Sequence, residues 1–544
     1  MTRLTLKTEK RIFLALVLMT TAGLYWATML PGIGYSGDAA KFQYAGKILG
    51  VPHAPGYPLY VLLTRIFIIL PLHSVAFRVN LMSAFFALLT LAILYLTLLE
   101  LGASSWVAAG TTLSFAFNQT FWTQSVVAEV YTLNSFFLAL IFFSLLRWGR
   151  TGRKKYFYGA IFVLGLSFSH HATLLLMAPA VFLFGLLIQP RVWLGGKPWL
   201  VTAASCLAGL LPYSYLVLRT FQKARYVEAP VRSASDLVKV ITARRFQSAM
   251  FAFDWASLWR ERLPWFFSQI EKEWPWPLLL VMLIGGLRLW RNHRPVAMFL
   301  LVFILFQGLF VVNYDVPDVV VFFIPLYFGL AVFLAVGWQY LINRLATAGM
   351  KLRAHFGRGL AIALGAAACF GSVVFLLAAN FSHANMKGVV LYDERLNALF
   401  EAVSPTEPII ILTDNYHESQ FVNYKLWVEY GGHFGFHFDL DPAEAFLPQM
   451  KKKINRIIRE NRQLQCFLFP DCARGETPAS LVNSFWSDGM RPQREAFLSS
   501  VYFISPSLRK WLAASGIKTV KWIGLAPKNK KPYFFYMALL PSDF

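Results

Sequence analysis

Asp38 is the first residue of this chain whose position favours chemistry. It lies in the polar segment GYSGDAAKFQYAGKILGVPHAPGYPLY, from Gly34 to Tyr60, soon after an apolar run that ends at Leu30. A carboxylate there would lie at a membrane surface, where ionisable groups are usually functional. Because a carboxylate can take the proton from an attacking hydroxyl group, Asp38 is a candidate general base. The alternative is that it only caps the helix that follows SGD.

Other polar side chains recur in otherwise apolar surroundings farther along the chain. They are Lys41 and His53 in the same loop, Glu129 and Tyr131 in AEVYTLN, His170 and His171 in GLSFSHH, and Asp315 in NYDVPDVVVFFIP. Such residues could line a catalytic cavity or the loops of a transporter. Two of them have structural alternatives, since His53 could stabilise the turn PHAPG and Asp315 could cap the helix that follows. Adjacent histidines on a helix point about 100° apart with no third ligand placed by spacing, so no metal site is predicted.

The elements that position these residues must be membrane helices. The chain has 544 residues, 57% of them hydrophobic and 15% charged, with a mean hydropathy of +0.51. One soluble core does not hide such a composition, so an integral membrane protein is predicted. The net charge of +23 could indicate a nucleic-acid partner. The basic residues, however, cluster in short segments between apolar runs, as in cytoplasmic loops, so no nucleic acid is expected.

The apolar runs predict a polytopic α-helical fold with about eleven transmembrane helices. They cover residues 12–30, 76–100, 105–118, 133–148, 156–169, 172–188, 198–218, 277–290, 296–312, 319–341 and 359–379. If the N-terminus is cytoplasmic, every basic cluster falls inside and the C-terminus falls outside, as expected for a multi-pass protein of the cell (inner) membrane. The runs 105–118 and 156–169 are shorter than the ~20 residues of a perpendicular span, so flanking residues must extend them or the number of spans changes by two.

Two domains are predicted, a transmembrane domain over residues 1–379 and an extracytoplasmic α/β domain over residues 380–544. The second contains a buried strand at 408–412 and a basic helix at 450–462. It has no glycine-rich nucleotide loop, so acceptor binding is the expected role rather than nucleotide-sugar binding. Cys466 and Cys472 in CFLFPDC could form a disulfide in an oxidising compartment.

Four motifs in one order carry a family resemblance. Asp38 is followed by LGVPHAPGYPLY, AEVYTLN, GLSFSHH and YDVPDVVVFFIP. This combination resembles the membrane glycosyltransferase family that includes the plexin-type protein O-mannosyltransferases, within the type C (GT-C) fold. The resemblance spans roughly residues 1–380 and, more weakly, EPIIILTDNYHES in the second domain.

The resemblance implies transfer of a monosaccharide, mannose above all, from a polyprenyl-phosphate donor to an acceptor on the exterior face. Asp38 would be the general base, and no cofactor or metal is required because cations and donors can stabilise one leaving phosphate. The candidates for that role are Lys41, His53, Arg65, Arg78 and Arg219, with His53 and Arg78 preferred; Tyr131, His170, His171 and Asp315 are further substrate contacts. Family members often carry a glutamate where this chain has Lys41, so Glu129 or Asp315 supplies the second carboxylate, Asp38 acts alone, or the donor or acceptor differs.

Three functions are consistent with these residues. The first is sugar transfer to a serine or threonine hydroxyl of a protein, and the second is the same chemistry on a glycolipid or polysaccharide. The third is a lipid or sugar transporter, although the sequence shows no inverted repeat and no paired broken helices. The expected partners are therefore the lipid-linked sugar, the acceptor and membrane lipid.

Overall fold

The structure, a computed structural model of the chain, falls into two compact units. It describes residues 3–34, 36–193, 196–352, 356–389, 400, 409–413, 416–431, 435–439, 446–460, 501–503, 518–523 and 534–539. The first unit comprises Met1–Pro31, Leu49–His73 and Phe77–Gly388, and the second comprises Gly32–Ile48, Ser74–Ala76 and Val389–Phe544. The second unit thus contains the Asp38 segment, which hydropathy had assigned to the domain of residues 1–379. The predicted disulfide between Cys466 and Cys472 lies outside the described residues.

Most of the described chain is α-helical. The α-helices are, in chain order, α1 (Arg3–Thr28), α2 (Gly37–Ile48), α3 (Pro58–Ile68), α4 (Val75–Glu100), α5 (Ser105–Ala116), α6 (Gln119–Ser125), α7 (Tyr131–Thr151), α8 (Lys154–Ser167), α9 (Ala178–Ile188), α10 (Gly196–Leu210), α11 (Ser214–Phe221), α12 (Ala234–Ile241), α13 (Trp255–Ser257), α14 (Leu263–Glu273), α15 (Trp276–Asn292), α16 (Arg294–Val312), α17 (Ile324–Leu352), α18 (Phe356–Ala384), α19 (Tyr416–Tyr424) and α20 (Phe446–Glu460). Short 3-10 and π turns join several of them, including the 3-10 helices Ala172–Met177, Arg244–Ala249 and Val319–Phe323.

The first unit is built from apolar helices. Among the described residues, seven helices are long and apolar enough to cross a membrane: Lys7–Thr28, Val75–Glu100, Tyr131–Thr151, Gly196–Phe221, Arg294–Val312, Val319–Thr347 and Gly359–Ala384. Each overlaps a span predicted from the sequence, so the chain is a multi-pass membrane protein. A helix pairs its own backbone N–H and C=O groups, which is what the interior of a bilayer requires.

The other four predicted spans fall on shorter helices. They correspond to α5, α8, α15 and the pair formed by the 3-10 helix Ala172–Met177 and α9. Flanking residues do not lengthen the two short runs to full spans, because α5 has 12 residues and α8 has 14. The alternative, that the number of spans changes by two, stays a prediction. After α5 the backbone becomes extended at Asn118, and before α8 Gly152 adopts a left-handed φ of 65° that ends α7.

Basic residues gather at one end of the first unit, which we call the basic end. Glu100, the last residue of α4, forms ion pairs with Arg147 at 2.5 Å and with Arg150 at 2.7 Å, both near the end of α7. The Tyr95 hydroxyl donates to the Lys10 carbonyl oxygen at 3.0 Å, which places this part of α1 at the same end. The structure therefore brings the predicted basic segments of these helices together; that this end is cytoplasmic stays a prediction.

Glycines allow α15 and α17 to approach closely. A Cβ atom added at Gly285 would lie 1.9 Å from the Phe333 carbonyl oxygen, and one at Gly337 would lie 2.0 Å from the Val281 carbonyl oxygen. Real Cβ atoms do not approach that closely, so only glycine fits at either position. This contact fixes α15 and α17, which also form walls of a cavity at the basic end.

The second unit contains a five-stranded mixed sheet. Its strands are β1 (Ile409–Thr413), β2 (Gly435–Asp439), β3 (Val501–Phe503), β4 (Lys518–Ile523) and β5 (Phe534–Leu539). The order across the sheet is β2-β1-β3-β5-β4, with β1 parallel to both of its neighbours and β5 antiparallel to both of its own. The strand predicted at 408–412 is present as β1, and the predicted basic helix is present as α20.

Candidate functional site

Asp38 lies at the centre of a charged cluster in the second unit, which we call the Asp38 cluster. Its side chain is 36% exposed and accepts a hydrogen bond from the Tyr416 hydroxyl at 2.5 Å. The Lys41 ammonium is 3.4 Å from the same carboxylate oxygen. It also lies 4.9 Å from the centroid of the Tyr416 ring. Tyr416 thus contacts Asp38 through its hydroxyl group and Lys41 through its ring.

Helix α2 sets this geometry. The Ser36 hydroxyl accepts a hydrogen bond from the Ala39 backbone N–H at 3.0 Å, which begins the helix. Asp38 falls in the first turn, and Lys41 follows it by three residues on the same face of the helix. Ser36 therefore makes a capping contact of the kind that the sequence had offered as the alternative role of Asp38.

Helix α19 holds α2 by polar contacts within the second unit. The Gly37 backbone N–H donates to His417 Nδ1 at 2.8 Å, and the Tyr44 hydroxyl donates to Gln420 Oε1 at 2.5 Å. A Cβ atom at Gly37 would lie 2.7 Å from the Tyr416 ring, so a side chain there would displace the tyrosine that binds Asp38. The close fit positions Tyr416 against the carboxylate.

A second group of predicted residues meets in the first unit, in what we call the histidine cluster. His171 is its centre, with its ring centroid 6.0 Å from Tyr57, 5.9 Å from Tyr131 and 5.9 Å from Phe322. His53 joins it through Tyr57, at 5.3 Å between ring centroids. The four motifs that carry the family resemblance therefore converge here, each contributing an aromatic ring or an imidazole.

Hydrogen bonds fix the tautomer of His171. Its Nδ1 atom accepts from the Thr173 backbone N–H at 3.4 Å and lies 2.7 Å from the Thr173 hydroxyl. Because a backbone N–H can only donate, Nδ1 is the acceptor and the neutral ring carries its hydrogen on Nε2. His171 can therefore offer an N–H donor to a substrate oxygen.

His170 has a structural contact instead. Its ring is fully buried, and Nε2 donates to the Val130 carbonyl oxygen at 2.9 Å. The ring also stacks on Tyr60, with centroids 6.1 Å apart. These contacts tie the segments GLSFSHH and AEVYTLN together, so His170 positions the histidine cluster.

Both histidines are neutral at physiological pH. Burial, with a smaller contribution from the neighbouring His171, lowers the pKa of His170 to about 3. Burial also lowers the pKa of His171 to about 4, with a further contribution from the charge of His53. A cationic imidazole is disfavoured here, so any phosphate or sugar contact from His171 is a neutral hydrogen bond.

Glu129 and Tyr131 lie beside the histidine cluster. Glu129 is buried with 7% of its surface exposed, and its backbone N–H donates to the Ser83 hydroxyl at 3.2 Å. Burial raises the pKa of Tyr60, and the charge of Glu129 contributes to the same shift. The Tyr131 hydroxyl donates to Asp318 at 3.1 Å. Asp318 makes no side-chain capping contact with the helix that it precedes, and it is thus available to pair with Tyr131.

Three other predicted residues bind the backbone. Arg78 donates to the carbonyl oxygens of Ile68 at 2.6 Å, of Leu72 at 2.5 Å and of His73 at 2.9 Å. It closes the C-terminal end of α3, where carbonyl groups lack helical partners. Arg219 donates to the Leu49 carbonyl oxygen at 2.7 Å, and the Asp315 backbone N–H donates to Ala249 at 2.9 Å.

The preference for Arg78 as a phosphate ligand is not supported, because its guanidinium is engaged with three carbonyl groups. The preference for His53 is consistent with its place in the histidine cluster. Tyr57, Phe322, Tyr416 and His417 were not singled out from the sequence. The motif LGVPHAPGYPLY contains Tyr57, and EPIIILTDNYHES contains both residues of α19, so the signal was present but no spacing rule links them to Asp38.

The fold has a solved counterpart. ArnT from Cupriavidus metallidurans bound to undecaprenyl phosphate matches with a TM-score of 0.58 at 10% sequence identity, over 96% of this chain and 97% of that one. The match at this identity shows the fold alone. The chain is therefore a polytopic helical membrane protein with the GT-C fold that the motifs had implied.

The sequence comparisons are more specific. Residues 38–193 match the family described as protein O-mannosyl-transferase TMEM260, N-terminal domain, and the match begins at Asp38 itself. Protein O-mannosyl-transferase TMEM260 of Mus musculus is 34% identical over 225 residues, 39% of this chain and 31% of the mouse protein. The Dictyostelium discoideum protein of the same name is 29% identical over 133 residues, 24% of this chain and 16% of that protein. These matches confirm the resemblance, and the chain spans less than a third of either relative.

Proposed function

We propose that the protein is a membrane glycosyltransferase that moves a monosaccharide, mannose above all, from a polyprenyl-phosphate donor to a serine or threonine hydroxyl of a protein. The acceptor would be on the extracytoplasmic face. The observation that carries the proposal is the Asp38 cluster, in which a partly exposed carboxylate is held by a tyrosine and a lysine. The family match that begins at Asp38 and the names of the two relatives support the choice of sugar and acceptor.

Asp38 is the general base in this mechanism. It takes the proton of the acceptor hydroxyl as the oxygen attacks C1 of the sugar, and the electron pair of the C1–O bond leaves with the polyprenyl phosphate. Tyr416 and Lys41 stabilise the carboxylate charge and fix its orientation before the proton arrives. Glu129 is the candidate for a second catalytic carboxylate, since Lys41 occupies the position of the family's second acid.

The histidine cluster has a different role, which is to bind substrate without charge. His171 offers an N–H donor among aromatic rings, and Tyr131 presents a hydroxyl that is paired with Asp318. Rings and neutral donors are suited to sugars and to the phosphate ester of a lipid-linked donor. His53 and Arg219 are the remaining candidates for phosphate contact, and Lys41 is reserved for Asp38.

The test is transfer by the purified full chain in phosphatidylcholine liposomes supplied with radiolabelled polyprenyl-phosphate mannose. A serine- and threonine-containing protein domain and a glycolipid are offered together, and label is counted in the separated protein and lipid fractions. We expect label in the protein fraction from the wild type and not from Asp38→Asn. Asp236→Asn, an exposed aspartate of the first unit, is the matched control and should transfer normally.

Other outcomes distinguish the remaining functions. Label in the lipid fraction alone would keep the enzyme and replace the acceptor by a glycolipid. No transfer with any lipid-linked sugar, combined with movement of label across the bilayer, would replace the enzyme by a transporter. Equal transfer by the wild type and Asp38→Asn would remove the base from the mechanism.

A further inference from the structure

A cavity of about 400 Å³ opens at the basic end of the first unit, between the ends of α4 and α15 and the second half of α17. Its polar lining includes Arg288, His293, Gln339, Tyr340, Asn343 and Arg344. Its lining also includes buried apolar side chains, with Leu98, Leu289 and Ala335 at 1% exposure or less. None of the residues proposed above for sugar transfer lines this cavity.

Two arginines of the cavity are arranged around one aromatic ring. The Arg288 guanidinium lies 5.1 Å from the centroid of Tyr340, and the Arg344 guanidinium lies 5.3 Å from it. Arg344 Nε also donates to the Tyr340 hydroxyl at 3.0 Å. Both positive charges are thus held at one wall of the cavity, where they repel each other unless an anion offsets them.

Among the described residues that line the cavity, none is acidic. Among the residues that the structure describes, neither Arg288 nor Arg344 forms an ion pair. Two other arginines at the basic end differ in this respect, because Arg147 and Arg150 both form ion pairs with Glu100. One pair of arginines shares an acidic partner within the protein, and the other pair lines a cavity.

The position and the shape of the cavity indicate the ligand. The apolar spans Val75–Glu100 and Val319–Thr347 both end beside it, so its mouth lies at the level where lipid headgroups begin. Guanidinium groups bind phosphate oxygens through paired N–H donors, and basic pockets between membrane helices bind anionic headgroups. The buried apolar side chains suit the glycerol and first acyl carbons of a phospholipid.

We propose that this cavity binds a phosphate-bearing anion, the headgroup of an anionic phospholipid, between Arg288 and Arg344. Tyr340 holds the two guanidinium groups in place, and Asn343 and His293 offer further polar contacts at the mouth. The ligand chemistry is that of a phosphate group, which a membrane lipid or a soluble phosphate compound can supply. This binding does not depend on the proposed transfer activity.

The test is native mass spectrometry of the purified full chain, released from nanodiscs of phosphatidylcholine containing 10 mol% phosphatidylglycerol. We expect the wild type to retain phosphatidylglycerol over phosphatidylcholine, and Arg288→Gln/Arg344→Gln to lose at least roughly tenfold of that preference, as expected when charge-assisted hydrogen bonds are removed. Arg291→Gln removes one positive charge in the same turn of α15 outside the cavity, and it should retain lipid as the wild type does. Arg288→Lys/Arg344→Lys, which keeps the charge, should recover part of the preference.

A second arm separates the two sources of phosphate. Inorganic phosphate and glycerol phosphate are added before release, and a lipid site should keep its phosphatidylglycerol in their presence. Displacement by either compound would support the phosphate site and assign it to a soluble ligand. Thermal unfolding checks that every protein compared is folded. Equal retention of phosphatidylglycerol by the wild type and the double glutamine variant would overturn the proposal, and so would an equal loss in Arg291→Gln.

Discussion

The Asp38 cluster and the histidine cluster both contain residues from the motifs of the family resemblance, but they differ in charge and in burial. Asp38 and Lys41 are ionised groups held by a short hydrogen bond and an ion pair, and the carboxylate is partly exposed. His170 and His171 are buried among rings and neutral, and their hydrogen bonds are to a backbone carbonyl and to Thr173. In the mechanism we propose, this difference keeps charge where a proton must move and avoids it where a substrate is bound.

The largest expected effect comes from removing the charge at Asp38. Asp38→Asn keeps the size of the side chain but cannot accept a proton, so sugar transfer should fall by about 10²- to 10⁴-fold. The measurement is the initial rate of transfer in membranes, normalised to folded protein. A loss of less than threefold would make the Asp38 cluster structural and would move the search for the base to Glu129.

Tyr416→Phe sharpens the claim for the same cluster. It keeps the ring beside Lys41 but removes the hydroxyl that donates to Asp38. Because a hydrogen bond to a charged group is strong, its loss should reduce the rate of transfer by roughly tenfold to a hundredfold. Tyr158→Phe in α8 is the matched control. If both variants transferred at the wild-type rate, the hydroxyl of Tyr416 would have no part in positioning the base.

The histidine cluster should reveal itself by pH-dependent stability. The pKa values of His170, about 3, and of His171, about 4, lie below the ordinary histidine value near 6.5. The unfolded chain therefore binds protons first, so the free energy of unfolding should be level above about pH 6.5 and fall toward pH 4, by roughly 1.4 kcal/mol per pH unit for each histidine.

Thermal unfolding in detergent between pH 4.5 and pH 7.5 measures this dependence. His170→Gln should reduce the slope by about half, since one of the two titrating groups is gone. His293→Gln, which changes an exposed histidine at the basic end, should leave the slope as it is. A slope that survives in His170→Gln at full size would contradict the neutral, buried state of that ring.

The smallest effect is expected from Tyr131→Phe. Its hydroxyl donates to Asp318 in an exposed contact, and such hydrogen bonds contribute little. The affinity for the polyprenyl-phosphate sugar should weaken roughly twofold to tenfold, while the saturated rate of transfer is retained. A collapse of the saturated rate would place Tyr131 in the chemistry and blur the distinction between the two clusters.

The sequence predicted the membrane class and most spans because hydropathy is a local property. It also predicted that the motifs at His53, Tyr131 and His171 would act together, and the structure brings them together. It could not predict that Arg78 closes α3, because no local pattern distinguishes a guanidinium aimed at carbonyl groups from one aimed at a phosphate. The pairing of Asp38 with Tyr416 joins residues 378 positions apart, and a single sequence holds no signal for such a contact.

The central claim is that Asp38 performs chemistry while His171 binds substrate. The most direct test is the single-turnover transfer rate as a function of polyprenyl-phosphate mannose concentration, for the wild type, Asp38→Asn and His171→Gln side by side. We predict that Asp38→Asn loses the saturated rate and keeps the wild-type half-saturating concentration, while His171→Gln raises that concentration and keeps the saturated rate. The reverse pattern, or a saturated rate in Asp38→Asn equal to that of the wild type, would contradict the account.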